Sequence, residues 1–158
     1  MKLERYGEFR VLTLRETVTD PAPCETPELA VDYWRKNIAT DPRFNPDVET
    51  LIGLVLSTRR KVLGHYIVAT GTLDTLLCHP REMFRPAIVA NAAALIVMHN
   101  HPSGDHSPSE ADIKVTRDLI RAGQLLKIDV LDHIIMGTAA EGRAKEYRSL
   151  RELGYFTM

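Results

Sequence analysis

The chain breaks into short apolar runs separated by longer stretches of helical period. Residues 9–16, FRVLTLRE, set Val11 and Thr13 opposite Leu12 and Leu14, the period-two pattern of a strand. A proline-rich connector, TDPAPCETP, follows at 19–27. Thr26 before Pro27 reads as an N-cap and first helical residue, and the helix predicted from there runs to about Ile38 with Leu29, Tyr33 and Trp34 inward. TDPRFNPD breaks it. ETLIGLVLS (49–57) and KVLGHYIVATGT (61–72) read as strands joined by the hairpin turn TRR. HPREMFRPAIVANAAA (79–94) has helical period, with Pro80 near its start and Pro86 as a kink or restart. LIVMHN (95–100) is a short buried strand. The next helix opens at Pro108 or Ser109 and runs to about Ala122, with Gly123 at its end and Ala111, Val115 and Leu119 as its apolar stripe. KIDVLDHIIMG (127–137) is another strand, and the tail EYRSLRELGYF is short and partly helical. Strands and helices mix without strict alternation. The expectation is one α/β domain over 27–158, a mixed central sheet flanked by helices, preceded by an N-terminal strand and connector over 1–26.

Bulk properties narrow the function classes. The 158 residues are 44% hydrophobic and 26% charged, ordinary for a globular domain. A net charge of -1 gives no global electrostatic case for nucleic acid or an anionic membrane, and leaves only a local basic patch open. The trio Arg59, Arg60 and Lys61 is such a patch in principle; a solvated turn is the better reading. No stretch approaches the roughly 18 apolar residues of a membrane span. MKLERYGEFR has no apolar signal core, so secretion is not expected. Two cysteines, Cys24 and Cys78, do not make a disulfide framework, and a reduced, cytoplasmic setting fits.

The chemistry concentrates in VMHNHPSGDHSPSEAD, residues 97–112. On an extended backbone residues two apart point to the same side, so His99 and His101 project together with Asn100 turned away. Pro102 and Gly104 turn the chain, and Pro108 pre-sets a helix start. Ser109 and Asp112, three apart, share a face of its first turn. A strand end and a helix start thus converge two imidazoles and a carboxylate on one point. That is three ligands for a zinc ion with an open fourth position, the pattern of a catalytic site. The competing reading is a polar loop edge, but H-x-H-P-x6-S-x2-D at such a junction is a rare combination. The tripeptide HNH is unrelated to HNH nucleases, whose residues are dispersed over a ββα unit.

These residues resemble the JAMM signature of the MPN+ (JAB) metallopeptidase superfamily: an upstream glutamate, then H-x-H, seven residues, S-x-x-D. HNHPSGDHSPSEAD looks more closely like the RadC-like branch. The flanks GTLDTLLCHPREMFRPAIVANAAALIVMHNHPSG and VLDHIIMG resemble it in the same order, over about residues 27 to 154. The resemblance implies the MPN/JAB fold, of cytidine-deaminase-like architecture, with zinc as cofactor. Its implied ligands are His99, His101 and Asp112. It implies a glutamate on an early strand as proton shuttle. Glu49, opening ETLIGLVLS with Gly53 following, is that residue; Glu82 and Glu110 are rivals. Ser109 either caps the helix or, as the resemblance implies, helps hold the oxyanion of a tetrahedral intermediate. Asp132 and His133 lie outside the signature and read as support for the ligands or as plain structure. Cys78 and His79 point opposite ways on an extended backbone. His106 is expected at the surface.

Two departures matter. Full-length RadC proteins carry an N-terminal helix-hairpin-helix region, and about 26 residues before the first helix are too few for one. His65 stands where RadC-like strands often carry Glu. The leading expectation is a zinc hydrolase cleaving an amide or isopeptide bond of an unidentified substrate. The others are a DNA-repair-associated protein with at most weak nucleic-acid binding, and a non-catalytic MPN interaction module.

Overall fold

A computed structural model describes residues 21–71 and 78–157. The strand expected over 9–16 lies outside them. The elements are α1 (Pro27–Tyr33), continued by a π-helical turn over Trp34–Ile38, then β1 (Glu49–Leu56), β2 (Val62–Gly71) and α2 (Pro80–Val89). They continue with β3 (Ala94–Asn100), α3 (Glu110–Leu126), β4 (Asp129–Met136) and β5 (Tyr147–Ser149). The sheet order is β2-β1-β3-β4-β5. β3 and β4 are parallel, as a crossover through α3 requires, and the other pairs are antiparallel. The fold is the expected single α/β domain with a mixed sheet. No helix among the described residues is long and apolar enough to cross a membrane.

Both central strands, β1 and β3, are buried along their whole length. That is why they read as continuous apolar runs: each is covered on two faces. Ile52, Leu54, Ile96 and Met98 pack on one face against Trp34 and Ile38. Leu51, Val55, Leu95 and Val97 pack on the other against Met83, Phe84 and Leu119. The second face carries the candidate site residues His99 and Glu49.

Four expectations are corrected. In α1 and the turn after it Trp34 is buried and Tyr33 packs partly against the same cluster, as expected, but Leu29 is 36% exposed and Ala30 and Val31 take the inward positions instead. Pro86 sits inside α2, which continues through it, so of the two readings the restart falls and the kink stands untouched. α3 does not stop at Gly123 but runs to Leu126, with Lys127 as a left-handed cap at φ 58°. Gly123 is instead a packing site, because the Ile128 carbonyl lies where a Cβ would be. The inward face of α3 is Asp112, Thr116, Leu119, Ile120 and Gly123, with Ala111 exposed. The tail is strand β5 followed by turns, not helix. Three residues are too short to display alternation; two hydroxyls hold the strand, Tyr147 Oη donating to Glu28 and Ser149 Oγ to Asp132.

Candidate metal centre

The end of β3 is pinned on both sides. Asn100 points away from the histidines, as expected, and works there. Its Oδ1 accepts from the Thr50 N–H at 2.8 Å, and its Nδ2 donates to the Val48 carbonyl at 3.1 Å. This clamp straddles Glu49 and holds it beside the β3 terminus. The His101 N–H donates to the Met136 carbonyl, and the Gly104 N–H closes a turn back onto the His101 carbonyl. Gly104 has φ +85°, a conformation open to glycine at little cost. Its carbonyl lies so close to Gly137 that any Cβ there would collide with it. Ser109 then starts α3 with a reciprocal capping box. Its Oγ accepts from the Asp112 N–H at 3.1 Å, and its N–H donates to Asp112 Oδ2 at 2.9 Å. The cap therefore also orients the carboxylate.

Glu49, His99, His101 and Asp112 converge so that one ligand atom from each lies within 4.8 Å of the others. The two Nε2 atoms are 3.1 Å apart. Asp112 oxygens lie 3.3 Å from each, and Glu49 Oε1 lies 3.5 Å from His99 Nε2.

Hydrogen bonds on the far sides of the rings fix which nitrogens carry protons. His101 Nδ1 meets the Asp105 carbonyl at 2.7 Å, which only accepts, so Nδ1 carries the proton. For His99 the determinant is a longer chain. Thr116 Oγ1 donates its one proton to the Asp112 carbonyl and must therefore accept from His133 Nδ1 at 2.7 Å. His133, neutral and fully buried, then presents Nε2 as an acceptor to the His99 Nδ1–H at 2.8 Å. Both histidines are thus left with Nε2 facing inward.

The result is a buried set of acceptors with no donor among them. Both Glu49 oxygens are shut from solvent without a hydrogen-bond partner, an uncommon and costly arrangement. Burial, and then the charge of Asp112, push the Glu49 carboxyl up to about 7, with His101 pulling weakly the other way. Burial raises Asp112 too, but the two imidazoles and the Ser109 N–H outweigh it and hold its carboxyl well below the usual range. Burial lowers His99 and, further, His133; for His101, burial is outweighed by the Asp112 and Asp105 contacts and the shift is upward. Without a metal, only a proton on the Glu49 carboxyl or on an imidazole can relieve this cluster. Two imidazole nitrogens with carboxylate oxygens fit a divalent ion of intermediate softness.

The rivals to Glu49 lie elsewhere. Glu82 is at the surface between Arg85 (3.5 Å) and Arg81 (4.0 Å), and Glu110 is exposed. Asp132 faces away from the cluster, bonded by Ser149 Oγ and by the N–H groups of His133 and Arg151. His65 bonds Tyr33 Oη at 2.7 Å on that same opposite face, outside the cluster. The Cys78 thiol reaches the neighbouring His79 carbonyl, and its side chain packs against the second core face, outside the cluster. Arg60 holds the left-handed position of the β1–β2 turn, 4.0 Å from Asp129, and Arg59 is exposed. His106 is not at the surface: it is 2% exposed, its Nε2 donating to the Lys145 carbonyl. Sequence reasoning missed Thr116 and the clamp role of Asn100. Thr116 stands four residues after Asp112 on the same helix face, a signal that was available.

A family model described as RadC-like JAB domain matches residues 24–155, which span all the elements above. The chain belongs to the RadC-like JAB domain family. It is 47% identical over 100 residues to UPF0758 protein tlr1707 of Thermosynechococcus vestitus, covering 63% of this chain and 38% of that one. It is 47% identical over 107 residues to UPF0758 protein Mbar_A2303 of Methanosarcina barkeri, covering 68% and 44%. A UPF0758 protein of Desulfitobacterium hafniense is 39% identical over 144 residues, covering 79% and 61%. The chain spans about two fifths of the length of the first two.

Proposed function

We propose that the chain is a metal-dependent hydrolase of the JAMM type that cleaves an amide or isopeptide bond, with zinc as its ion. The observation that carries this is the donor-free cluster: two inward Nε2 atoms 3.1 Å apart beside two carboxylates, one with both oxygens unpartnered. His99, His101 and Asp112 hold the ion. Bound there, zinc supplies positive charge that polarises a carbonyl and acidifies water at neutral pH.

The chain's own residues do the rest. Glu49, near neutrality in its proton affinity, takes a proton from the attacking water. The water oxygen bonds to the carbonyl carbon, the C–N bond breaks, and Glu49 returns the proton to the leaving amine. Ser109 Oγ accepts the Asp112 N–H and still has its own proton to donate to the developing oxyanion. The cap and the oxyanion role are therefore compatible.

Elemental analysis of chelator-free protein should find about one zinc per chain, and His99→Ala should remove most of it. Equal trace levels in both would end the metal reading. Screening peptide and isopeptide libraries against the loaded protein then tests the reaction.

A further inference from the structure

Among the described residues two side chains carry buried polar atoms without a hydrogen-bond partner. One is Glu49, in the cation cluster. The other is Arg143, whose Nη1 is shut from solvent with nothing to donate to. The same reasoning with the sign reversed points to an anion, because a buried guanidinium nitrogen left idle is as unfavourable as an idle carboxylate.

The surroundings agree. A cavity of about 270 Å³ is lined by Arg143, Lys145 and Arg148 together with His106 and one carboxylate, Glu152. None of the three cations makes a close ion pair among the described residues; Arg143 acts on the Asp105 carboxylate and Lys145 on Glu28 only at longer range. Arg148 Nε donates to His106 Nδ1 at 3.4 Å, and its two terminal nitrogens make no hydrogen bond among the described residues. Lys145 Nζ sits 5.4 Å above the Tyr147 ring. The backbone holds the cavity firmly: His106 is buried and bonded to the Lys145 carbonyl, and the Gly137 N–H donates to the Glu146 carbonyl.

The cavity adjoins the metal centre. Strand register puts His99 opposite Ile135 and Ile135 opposite Arg148, so the three share one row. Paired residues face the same side of a sheet, hence Arg148 lies on the face of His99. Two strand spacings separate their Cα atoms by about 10 Å. A peptide that rounds the intervening loop needs at least about three extended residues to cover it. The dipeptide Asp105–His106 is the wall between the sites: the Asp105 carbonyl holds His101, and the His106 ring lines the cavity.

We propose that this cavity is a substrate subsite that takes a carboxylate of a peptide, at least about three residues from the bond presented to the metal centre. Guanidinium forks suit a carboxylate, donating two parallel N–H bonds to its two oxygens. A polyphosphate backbone, which carries several charges along its length, fits less well beside Glu152 in the lining. The inference rests on the hydrolase reading for its substrate class, but the cavity's affinity can be read without catalysis.

The first measurement uses the full chain labelled with ¹⁵N, following the Nε–H signals of Arg143 and Arg148. The probes are N-acetylglutamate α-amide, N-acetylglycine and inorganic phosphate, with chloride at matched ionic strength as control. Saturable shifts of both signals with either carboxylate probe, absent with chloride and in Arg143→Gln, are expected. The first probe reports a side-chain carboxylate and the second a C-terminal one. No saturable shift with either overturns the proposal, and so does saturation by phosphate alone, which would mark a phosphoester site.

The second measurement uses zinc-loaded protein and acidic peptides cleaved in the library screen. Arg143→Gln and Arg148→Lys should raise KM about tenfold for those peptides, leave kcat and zinc content unchanged, and leave the amide counterparts unaffected. Equal effects on acidic and amidated peptides would overturn it. If the wild type holds no zinc, the hydrolase reading falls while the probe titration still decides the anion site.

Discussion

Glu49→Gln separates a buried charge from a buried shape. In the metal-free chain the Glu49 carboxyl is raised from 4.5 to about 7, chiefly by burial and then by the charge of Asp112. Below about pH 4.5 folded and unfolded chains both keep the proton, and the group contributes nothing to pH dependence. Between 4.5 and 7 the folded chain binds the proton and the unfolded chain has lost it, so stability falls as pH rises. Above about 7 the full amount is lost, about 3 kcal/mol at 1.36 kcal/mol per pH unit. The glutamine cannot titrate, although its amide adds a pH-independent cost of about 1–3 kcal/mol for a buried group without partners. The decisive quantity is therefore the slope of the difference, not its value. Urea unfolding of chelator-treated protein from pH 5 to 8 should show the wild type losing stability relative to Glu49→Gln by about 3 kcal/mol. Saturating zinc should close most of that gap at pH 8. The variant should still bind zinc, and hydrolysis should fall by about 10² to 10⁴, the usual share of a positioned general base. A flat difference across the pH range would refute an uncompensated buried carboxylate. Loss of zinc would make Glu49 a ligand and not a base.

The other predictions follow from the supporting contacts. His133→Phe keeps a buried ring but removes the acceptor for the His99 Nδ1–H; zinc affinity, read by competition with a chromogenic chelator, should drop about 10- to 100-fold. Thr116→Val should show a smaller loss that Thr116→Ser restores, and unchanged affinity in both His133→Phe and Thr116→Val would refute the chain of bonds. Gly137→Ala forces a Cβ against the Gly104 carbonyl and should cost about 1–3 kcal/mol in thermal unfolding; an unshifted melt would show that the ligand loop yields freely. Duplex DNA should bind no tighter than about 10⁻⁴ to 10⁻⁶ M at physiological salt, and nanomolar binding would move Arg59, Arg60 and Lys61 from solvated turn to functional patch.

What could be read in the sequence was what short range encodes. The period of two at His99 and His101, the helix start at Ser109, and the apolar runs of β1 and β3 need only neighbouring residues. The errors came where partners are remote. The stripe on α3 was placed one position off because Asp112 and Thr116, both polar, hold the inward face at the site end. An apolar count skips them, although each is satisfied by a bond to the cluster or the backbone. His106 looks like a loop residue. It is buried because the Lys145 carbonyl and Arg148, some 40 residues on, supply both of its ring partners. β5 escaped for the same reason: its two inward hydroxyls find Glu28 and Asp132, which no local window contains. Glu49 lies between. Its place at a strand start was legible, but its isolation from every donor is a property of the folded cluster alone.

That isolation also bears on which ion the cluster suits. Asp112 stays ionised at neutral pH, while Glu49 sits near the middle of its titration. Fixing both histidines with Nε2 inward adds lone pairs but no charge. The buried pocket therefore holds between one and two negative charges. A monovalent ion would leave part of that charge uncompensated once Glu49 ionises, and burial makes any residue expensive. A divalent ion matches it. The same balance makes protons the natural competitor: acid returns a proton to an inward Nε2 and removes a ligand, so metal is released as pH falls. The bonds from Asp105 and His133 to the two Nδ1 atoms then keep both rings oriented, ready to present Nε2 again when the proton leaves.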